Sequence, residues 1–155
     1  MESLRHEIQM KRKFFHFGVV VKNIEKTTEA LKILLGGKSS PIRSIKHEYL
    51  GALVGVEGVE AEICMFETEN GEFIEILKWS KTSDFGLKTI TDFSVTHLCL
   101  YVDDIESIWA RAAGSDYFEI LSKEIIRVPI GPNEGCLVFF VKVNAELYLE
   151  LFQRN

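Results

Sequence analysis

Two histidines and two glutamates occupy matching points of a repeated sequence pattern, and together they could bind a divalent metal ion. His16 lies in FFHFGVVVKNIE and His97 lies in VTHLCLYVDDIE, and the second segment follows the first by 81 residues (97 − 16). Glu75 lies in FIEIL and Glu150 lies in LYLELF, so each copy also contains an apolar segment with a carboxylate in its middle. A repeat of this length predicts two copies of one structural unit, each offering one histidine and one glutamate.

The types of these four side chains favour a catalytic metal over a structural one. A buried, unpaired carboxylate in an apolar strand costs on the order of several kcal/mol, and a bound cation removes that cost. Two imidazoles and two carboxylates suit Ni, Co, Mn, Zn or Fe and leave coordination positions for water, whereas structural zinc sites are more often closed and rich in cysteine. A substrate carbonyl can occupy an open position while a carboxylate takes the proton alpha to it. This is the chemistry of an isomerase, epimerase or lyase that proceeds through an enediolate.

Each of the four residues has a simpler explanation when it is considered alone. A lone histidine in a strand is more often hydrogen bonded in the core or on the surface than bound to a metal. A lone glutamate in an apolar strand can face solvent from a half-exposed sheet. The recurrence of both residue types at matching positions favours the shared metal site.

The composition is that of a globular domain. The chain has 155 residues, of which 46% are hydrophobic and 26% are charged. A chain of this length and composition can bury a hydrophobic core that is stable without disulfides or structural metals. A net charge of −5 argues against a broad nucleic-acid-binding surface, and no apolar stretch is long enough to predict a membrane span. The N-terminus lacks the pattern of a secretory signal. The three separated cysteines indicate reduced thiols in a cytoplasmic protein.

Hydrophobic periodicity predicts an α+β fold of two βαβββ modules. We expect an N-terminal arm over 1–13, the first module over 14–79, a linker over 80–93 and the second module over 94–155. Asn23 and the pair Gly36-Gly37 predict a first helix over 24–35, and Asn70-Gly71 predicts a hairpin. The glycine-containing stretch 50–58 is interpreted as a mobile segment, either a lid or a substrate loop. The remaining predicted elements are strands over 14–22, 42–49, 61–68, 72–79, 95–102, 124–130, 136–141 and 146–152, and a second helix over 104–113.

The two-residue period of a strand predicts which side chains share a face with the four polar residues. Aromatic residues and a cysteine accompany them, and the alternate faces of the same strands are aliphatic and suited to packing under a helix. A mostly apolar surface with a few convergent polar groups is the expected lining of a ligand pocket. The predicted pocket residues are Phe73, Trp79, Cys99, Tyr101, Tyr148 and Phe152.

These segments resemble the vicinal oxygen chelate superfamily, which includes glyoxalase I, methylmalonyl-CoA epimerase, extradiol dioxygenases and bleomycin-resistance proteins. The resemblance covers about residues 14–153 and rests on FHFGVVVKNIEKT, FIEIL, VTHLCLYVDDIE, the turn at Gly131-Pro132, and LYLELF. It implies that the paired βαβββ modules form one cup-shaped mixed sheet around a metal, with ligands on the first and last strands of each module. Position by position, this corresponds to His16, Glu75, His97 and Glu150.

The order His-Glu-His-Glu is most similar to the glyoxalase I and methylmalonyl-CoA epimerase branches. That resemblance implies a divalent metal, a small-molecule carbonyl substrate and a homodimer, with no nucleic-acid or membrane partner. It also implies that Glu150 is the catalytic base and that Glu75 is a ligand or a second base on the opposite face of the substrate.

Two other functions are kept as alternatives. An Fe(II)-dependent dioxygenase would share the fold, although Glu75 argues against it because a facial triad needs only one carboxylate. A non-catalytic binding protein of the resistance type would hold an aromatic compound without needing a metal. One scaffold can serve all three functions.

Overall fold

The chain forms two βαβββ modules in a computed structural model that describes residues 15–82, 89–91 and 96–154. The expected N-terminal arm over 1–13 lies outside the described residues, and so do positions 83–88 and 92–93 of the expected linker. Position 14 of the expected first module and positions 94, 95 and 155 of the expected second module are also outside them. The first module contains β1 (Phe17–Val20), α1 (Ile24–Leu35), β2 (Lys38–Ser39), β3 (Arg43–Ile45), α2 (Glu48–Val54), β4 (Ala61–Glu67) and β5 (Phe73–Trp79). The second contains β6 (His97–Tyr101), α3 (Ile105–Ala113), β7 (Phe118–Ile120), β8 (Ile126–Arg127), β9 (Leu137–Val143) and β10 (Leu147–Gln153).

Each module builds its own five-stranded mixed sheet, and the two sheets have the same order. In the first, β1 pairs with β5 and β5 with β4, while the short strands β2 and β3 both pair with β4. In the second, β6, β10 and β9 follow one another, and β7 and β8 both pair with β9. The first and last strands of each module run parallel, and the other pairs are antiparallel. The α+β class and the paired βαβββ modules are confirmed. The strands form two sheets rather than one, because the described strands pair only with strands of their own module.

Helix α1 begins and ends where the sequence predicts. The Asn23 side chain accepts a hydrogen bond from the Lys26 backbone N–H at 2.7 Å, which satisfies one of the donors left open at a helix start. Gly36, with φ of 69°, ends the helix in a conformation that favours glycine. None of the helices in the described parts of the chain is long and apolar enough to cross a lipid bilayer.

The segment interpreted as a lid or substrate loop, 50–58, lies largely in a second helix of the first module. His47 caps the start of α2 by accepting from the Tyr49 backbone N–H, and Gly55 ends it in the left-handed conformation. Leu50 is buried against Val59 and Ala61, with Trp79 packed beside them. Leu50 is the buried residue of α2. The helix therefore has no long apolar stripe from which the sequence could predict it.

One hydrophobic core is shared by both modules. Ile74 and Ile76 of β5 belong to the same cluster of buried residues as Leu149 and Leu151 of β10. Helix α1 contacts β4, β5 and β9, and it also contacts α3, so helices of both modules lie at this core. The prediction that the aliphatic strand faces pack under helices is confirmed. The alternate faces of β5 and β10, which carry Glu75 and Glu150, therefore point away from the shared core.

A residue of the turn between β9 and β10 forms a hydrogen bond that connects the second module to the first. Asn144 and Ala145 both have positive φ, as in the tight turns that match strand twist. The next residue, Glu146, accepts a hydrogen bond through Oε1 from the Lys22 backbone N–H at 2.8 Å. Its Oε2 is buried and has no hydrogen-bond partner among the described residues. Burial raises the pKa of Glu146, while the bond from Lys22 and the Lys22 charge act in the opposite direction.

Replacing Glu146 with Gln should change how stability depends on pH. Because its pKa in the folded state is raised above the unfolded value, the folded protein loses stability as pH rises through these values. The amide carries no charge and can still accept from Lys22, so the stability of the variant relative to wild type should increase from pH 4 to pH 7. Urea unfolding at several pH values measures this difference. Glu124→Gln, at an exposed carboxylate, is the control. If the free energy of unfolding relative to wild type is independent of pH in both variants, the expectation is wrong.

Candidate metal centre

The first histidine–glutamate pair is set by the register of two parallel strands. Gly18 of β1 lies opposite Glu75 of β5, and His16 precedes Gly18 by two residues, so it lies on the same face. The Nε2 atom of His16 is 3.4 Å from Oε2 of Glu75, and the two side chains are 30% and 22% exposed. This half-buried pair is open to solvent on one side.

The second pair repeats this register. Cys99 of β6 lies opposite Glu150 of β10, and His97 precedes Cys99 by two residues. The Nε2 atom of His97 is 3.1 Å from Oε2 of Glu150, and the side chains are 42% and 21% exposed. The His97 ring also packs edge-on against Phe140, with 5.1 Å between ring centroids. The repeat seen in the sequence is therefore also a repeat of geometry.

The structure brings the four predicted ligands together as two pairs rather than as one group. The strand faces opposite Glu75 and Glu150 contribute to the same core, so the two carboxylates point to different outer surfaces of the chain. Within the described ranges, no cluster of three or more His, Cys, Asp or Glu side chains is arranged to hold a metal ion. Each pair supplies one imidazole nitrogen and one carboxylate, which is half of the predicted ligand set.

The chemistry of each pair suits a borderline divalent cation. An imidazole nitrogen and a carboxylate oxygen just over 3 Å apart can both coordinate one ion after a small side-chain adjustment. The Nδ1 atom of His16 is buried without a hydrogen-bond partner among the described residues. The second nitrogen of a metal-binding histidine usually donates to an acceptor, so the first pair lacks one element of a typical metal environment.

The two pairs differ in the residue beside the carboxylate. Gly18 leaves the side of Glu75 open, since a Cβ at this position would lie 3.6 Å from Oε2 of Glu75. Cys99 occupies the equivalent place beside Glu150. Burial, and then the charge and hydrogen bonding of Glu150, raise the pKa of Cys99 to about 11. Glu150 therefore lies beside a protonated thiol, whereas no side chain occupies the equivalent position beside Glu75.

The predicted pocket residues lie on the same strand faces as the two pairs but differ in accessibility. Tyr148 and Phe152 are each only 6% exposed. Trp79 packs at the cluster covered by α2. Cys99 and Tyr101 are exposed, and Phe73 is half-buried. Their role as pocket residues stays a prediction.

Other residues on these faces were missed because they come from strand pairings rather than from the repeated motifs. Phe140 lies opposite Glu150, and Lys142 lies opposite Tyr148; the Lys142 Nζ atom is 5.3 Å from the Tyr148 ring centroid. Arg154 continues the spacing of Glu150 and Phe152 beyond the end of β10. The alternation within LYLELFQR could have revealed Arg154, whereas the other two require the hairpin register.

A cavity of about 250 Å³ lies between the turn that follows β4 and the start of α3. Its lining includes neither histidine–glutamate pair. Several carboxylates and one arginine contribute to it. These are Glu69, Glu72, Asp103, Asp104 and Arg111.

Solved structures of glyoxalase-type proteins share this fold. A glyoxalase family protein from Bacillus cereus superposes with a TM-score of 0.76 at 15% identity, over 94% of this chain and 97% of that chain. The fosfomycin resistance protein FosX from Listeria monocytogenes gives 0.59 at 15% identity, over 94% and 96%. Glyoxalase I from Zea mays gives 0.63 at 16% identity, over 92% of this chain and 44% of that chain.

No protein-family model matches the sequence, and no curated protein matches it significantly. At these identities the structural likeness concerns the fold alone. The fold is that of the vicinal oxygen chelate proteins, as the sequence resemblance implies.

Alanine substitutions at two glycines should test the open space beside Glu75. Gly18→Ala places its Cβ in ordinary contact with Glu75 and Leu77, so the fold should keep its stability or gain about 0.4–1 kcal/mol from the stiffer unfolded chain. Gly37→Ala should destabilise, because Gly37 has φ of +87° and a Cβ would lie 2.3 Å from the Glu67 carbonyl oxygen. Urea unfolding compares the two, and a clear loss for Gly18→Ala would show that this space is not free.

Proposed function

We propose that this protein is a divalent-metal-dependent isomerase, epimerase or lyase that transfers a proton alpha to the carbonyl of a small molecule. The observation that carries the proposal is the repeated histidine–glutamate pair, which has the same strand register in both modules. A structural ion pair would not need to recur at equivalent positions with both residue types preserved. Glyoxalase I is among the proteins that share the fold, and FosX has been solved with Mn(II) and sulfate.

The ligand set is completed, in this proposal, by a second copy of the chain. His16 and Glu75 of one copy would meet the partner's His97 and the partner's Glu150 to make four ligands. Two observations support this arrangement. The pairs face outward from a shared core, and β1 and β6 lie at the edges of their sheets, where strands need a partner or a cover. A two-fold dimer would contain two such sites, since each copy contributes to both.

The proposed roles of the residues follow from their surroundings. A bound divalent ion would act as a Lewis acid on the substrate carbonyl. Glu150 takes the proton alpha to that carbonyl, with His97 within hydrogen-bond distance. Glu75, beside the open space at Gly18, serves as a ligand or as a second base on the opposite face of the substrate. Covering of these faces by the second copy would exclude water, which would strengthen electrostatic interactions at the site.

A binding protein without catalysis is the second candidate, and the aromatic character of the second module favours it. Phe140 packs against His97, and Tyr101 packs edge-on against Phe152 at 5.6 Å. Such a surface can hold an aromatic compound by stacking. This candidate requires ligand binding that does not change when metal is removed, whereas the enzyme requires metal for turnover.

Metal binding should depend on both pairs. Protein purified without a His tag or added metal and then titrated with Mn(II) should bind about one ion per chain, as followed by the loss of the free-ion signal in electron paramagnetic resonance. His16→Ala and His97→Ala should each weaken binding by at least about tenfold. His47→Asn, which keeps a helix cap at a histidine outside both pairs, should bind like wild type. Equal binding by all four proteins would refute the proposed metal site.

Mixing the two histidine variants should reveal whether the site lies between chains. In a dimer of one His16→Ala chain and one His97→Ala chain, one site keeps all four ligands and the other loses both histidines. Random pairing after unfolding and refolding together should therefore restore about a quarter of the wild-type metal sites. Refolding each variant alone should restore none. If both variants are dimeric and the mixture recovers nothing, the four ligands do not come from two copies.

A further inference from the structure

Arg154 extends the outer face of β10 beyond the metal-binding pair. Glu150 and Phe152 lie on this face, and Arg154 follows them at the two-residue spacing of a strand. Its guanidinium carbon lies 4.4 Å from the centroid of the Tyr101 ring. Its Nη2 donates a hydrogen bond to the Tyr101 hydroxyl at 2.5 Å. The arginine is therefore held against this face instead of extending into solvent.

Tyr101 is itself fixed on the face that carries His97. It lies opposite Phe152 in the parallel pair of β6 and β10, and the two rings pack edge-on at 5.6 Å. Even so, Tyr101 is 57% exposed, which is high for a large aromatic side chain. Arg154, Tyr101 and Phe152 together form a layered surface, which we call the guanidinium–aromatic patch. It presents an apolar ring and a positive charge side by side.

Among the described residues, no carboxylate side chain neutralises the charge of Arg154. No carboxylate of the described residues forms a salt bridge with it, although Asp103 lines the same shallow cavity. A guanidinium has five N–H donors in a planar fork, and the bond to Tyr101 uses one of them. The remaining donors can bind two oxygens of one oxyanion at once. Holding the arginine in place beforehand reduces the entropy lost when an anion binds.

The patch lies within reach of a small molecule bound at the second pair. At about 3.3 Å per residue along a strand, Phe152 and Arg154 lie roughly 7 and 13 Å beyond Glu150. The intervening exposed surface is Cys99 and Tyr101, and the exposed ring of Tyr101 offers contact to an apolar body. The corresponding place in the first module, by the alignment of Glu75 with Glu150, is Trp79, which is uncharged and packs beside α2. The positive charge is thus present at only one of the two half-sites.

We propose that Arg154 and Tyr101 bind an oxyanion of the substrate, either a carboxylate or a phosphoryl or phosphonyl group. The substrate would place its apolar body on the exposed ring of Tyr101 and its carbonyl at the His97–Glu150 pair. The position of the carbonyl rests on the proposed function. Anion binding at the patch rests only on the contacts of Arg154.

Titration of the metal-free full-length protein at low ionic strength tests the patch without catalysis. The probes are phenylphosphonate and benzoate, with benzyl alcohol as the neutral analogue, followed by the arginine Nε–H and backbone amide signals in ¹⁵N NMR. Saturable shifts at Arg154 and Tyr101 are expected with one or both anions and not with benzyl alcohol. Arg154→Gln should weaken binding by about tenfold or more, and Arg154→Lys should weaken it less.

Matched variants separate this subsite from general surface charge. Arg127→Gln removes an arginine of the same module whose Nη1 donates to the Gly135 carbonyl, and it should leave probe affinity unchanged. Tyr101→Phe, which keeps the ring and removes the hydroxyl, should weaken binding several-fold. Equal affinity in wild type and Arg154→Gln, or equal binding of the neutral analogue, would overturn the proposal.

Mn(II) titration of the same variants keeps this inference separate from the proposed function. Arg154→Gln should bind Mn(II) like wild type while it loses the anion probes. If wild type binds the probes at Arg154 but binds no metal, the oxyanion subsite stands and the metal-dependent function fails. If wild type binds metal but no probe, the oxyanion subsite is refuted and the metal-dependent function stands.

Discussion

The aliphatic core shared by the two modules is the constraint on which the rest of the structure depends. Ile74 and Ile76 from one sheet and Leu149 and Leu151 from the other are buried in one cluster, with helices from both modules beside them. Burial of apolar area is the main favourable term in folding. Because strand side chains alternate, the position of this core also decides where the polar residues point. Glu75 and Glu150 must face outward on separate surfaces.

The parallel pairing of the first and last strand in each module then determines the local geometry of each pair. The carboxylate lies opposite a small residue, Gly18 or Cys99, and the histidine two positions earlier reaches across to it. Because each glutamate is only half-buried, one side of it stays accessible to solvent. In the proposed dimer, a cation bound between two such surfaces would neutralise both carboxylates at once.

Within this common plan the two modules have diverged at the edges of the proposed site. The first has an open space at Gly18, and helix α2 packs near Trp79. The second has a thiol beside its carboxylate and an arginine held over Tyr101. In the proposed dimer, the repeated part would bind the metal ion. The part that differs would orient a substrate whose two ends differ.

Local patterns in the sequence were enough for the elements that depend on short-range interactions. The capping of α1 by Asn23 and its end at Gly36 follow from backbone hydrogen bonding and from the φ angle that glycine tolerates. The alternation around Glu75 and Glu150 predicted which face is aliphatic, because side chains in a strand alternate whatever the strand packs against. The repeat likewise predicted that each module offers one histidine and one glutamate, although it was interpreted as a single four-ligand site.

Long-range packing decided the remainder. Whether the pairs of His16 and His97 meet in one chain depends on how the two sheets pack across the helices, because this packing decides where their polar faces point. No local pattern in the sequence encodes that packing. Helix α2 exists because Leu50 finds a buried place beside Val59 and Ala61. Arg154 gains its position from Tyr101, 53 residues earlier in the chain, through the pairing of β6 with β10. Such contacts join residues that are distant in sequence, so only the tertiary structure shows them.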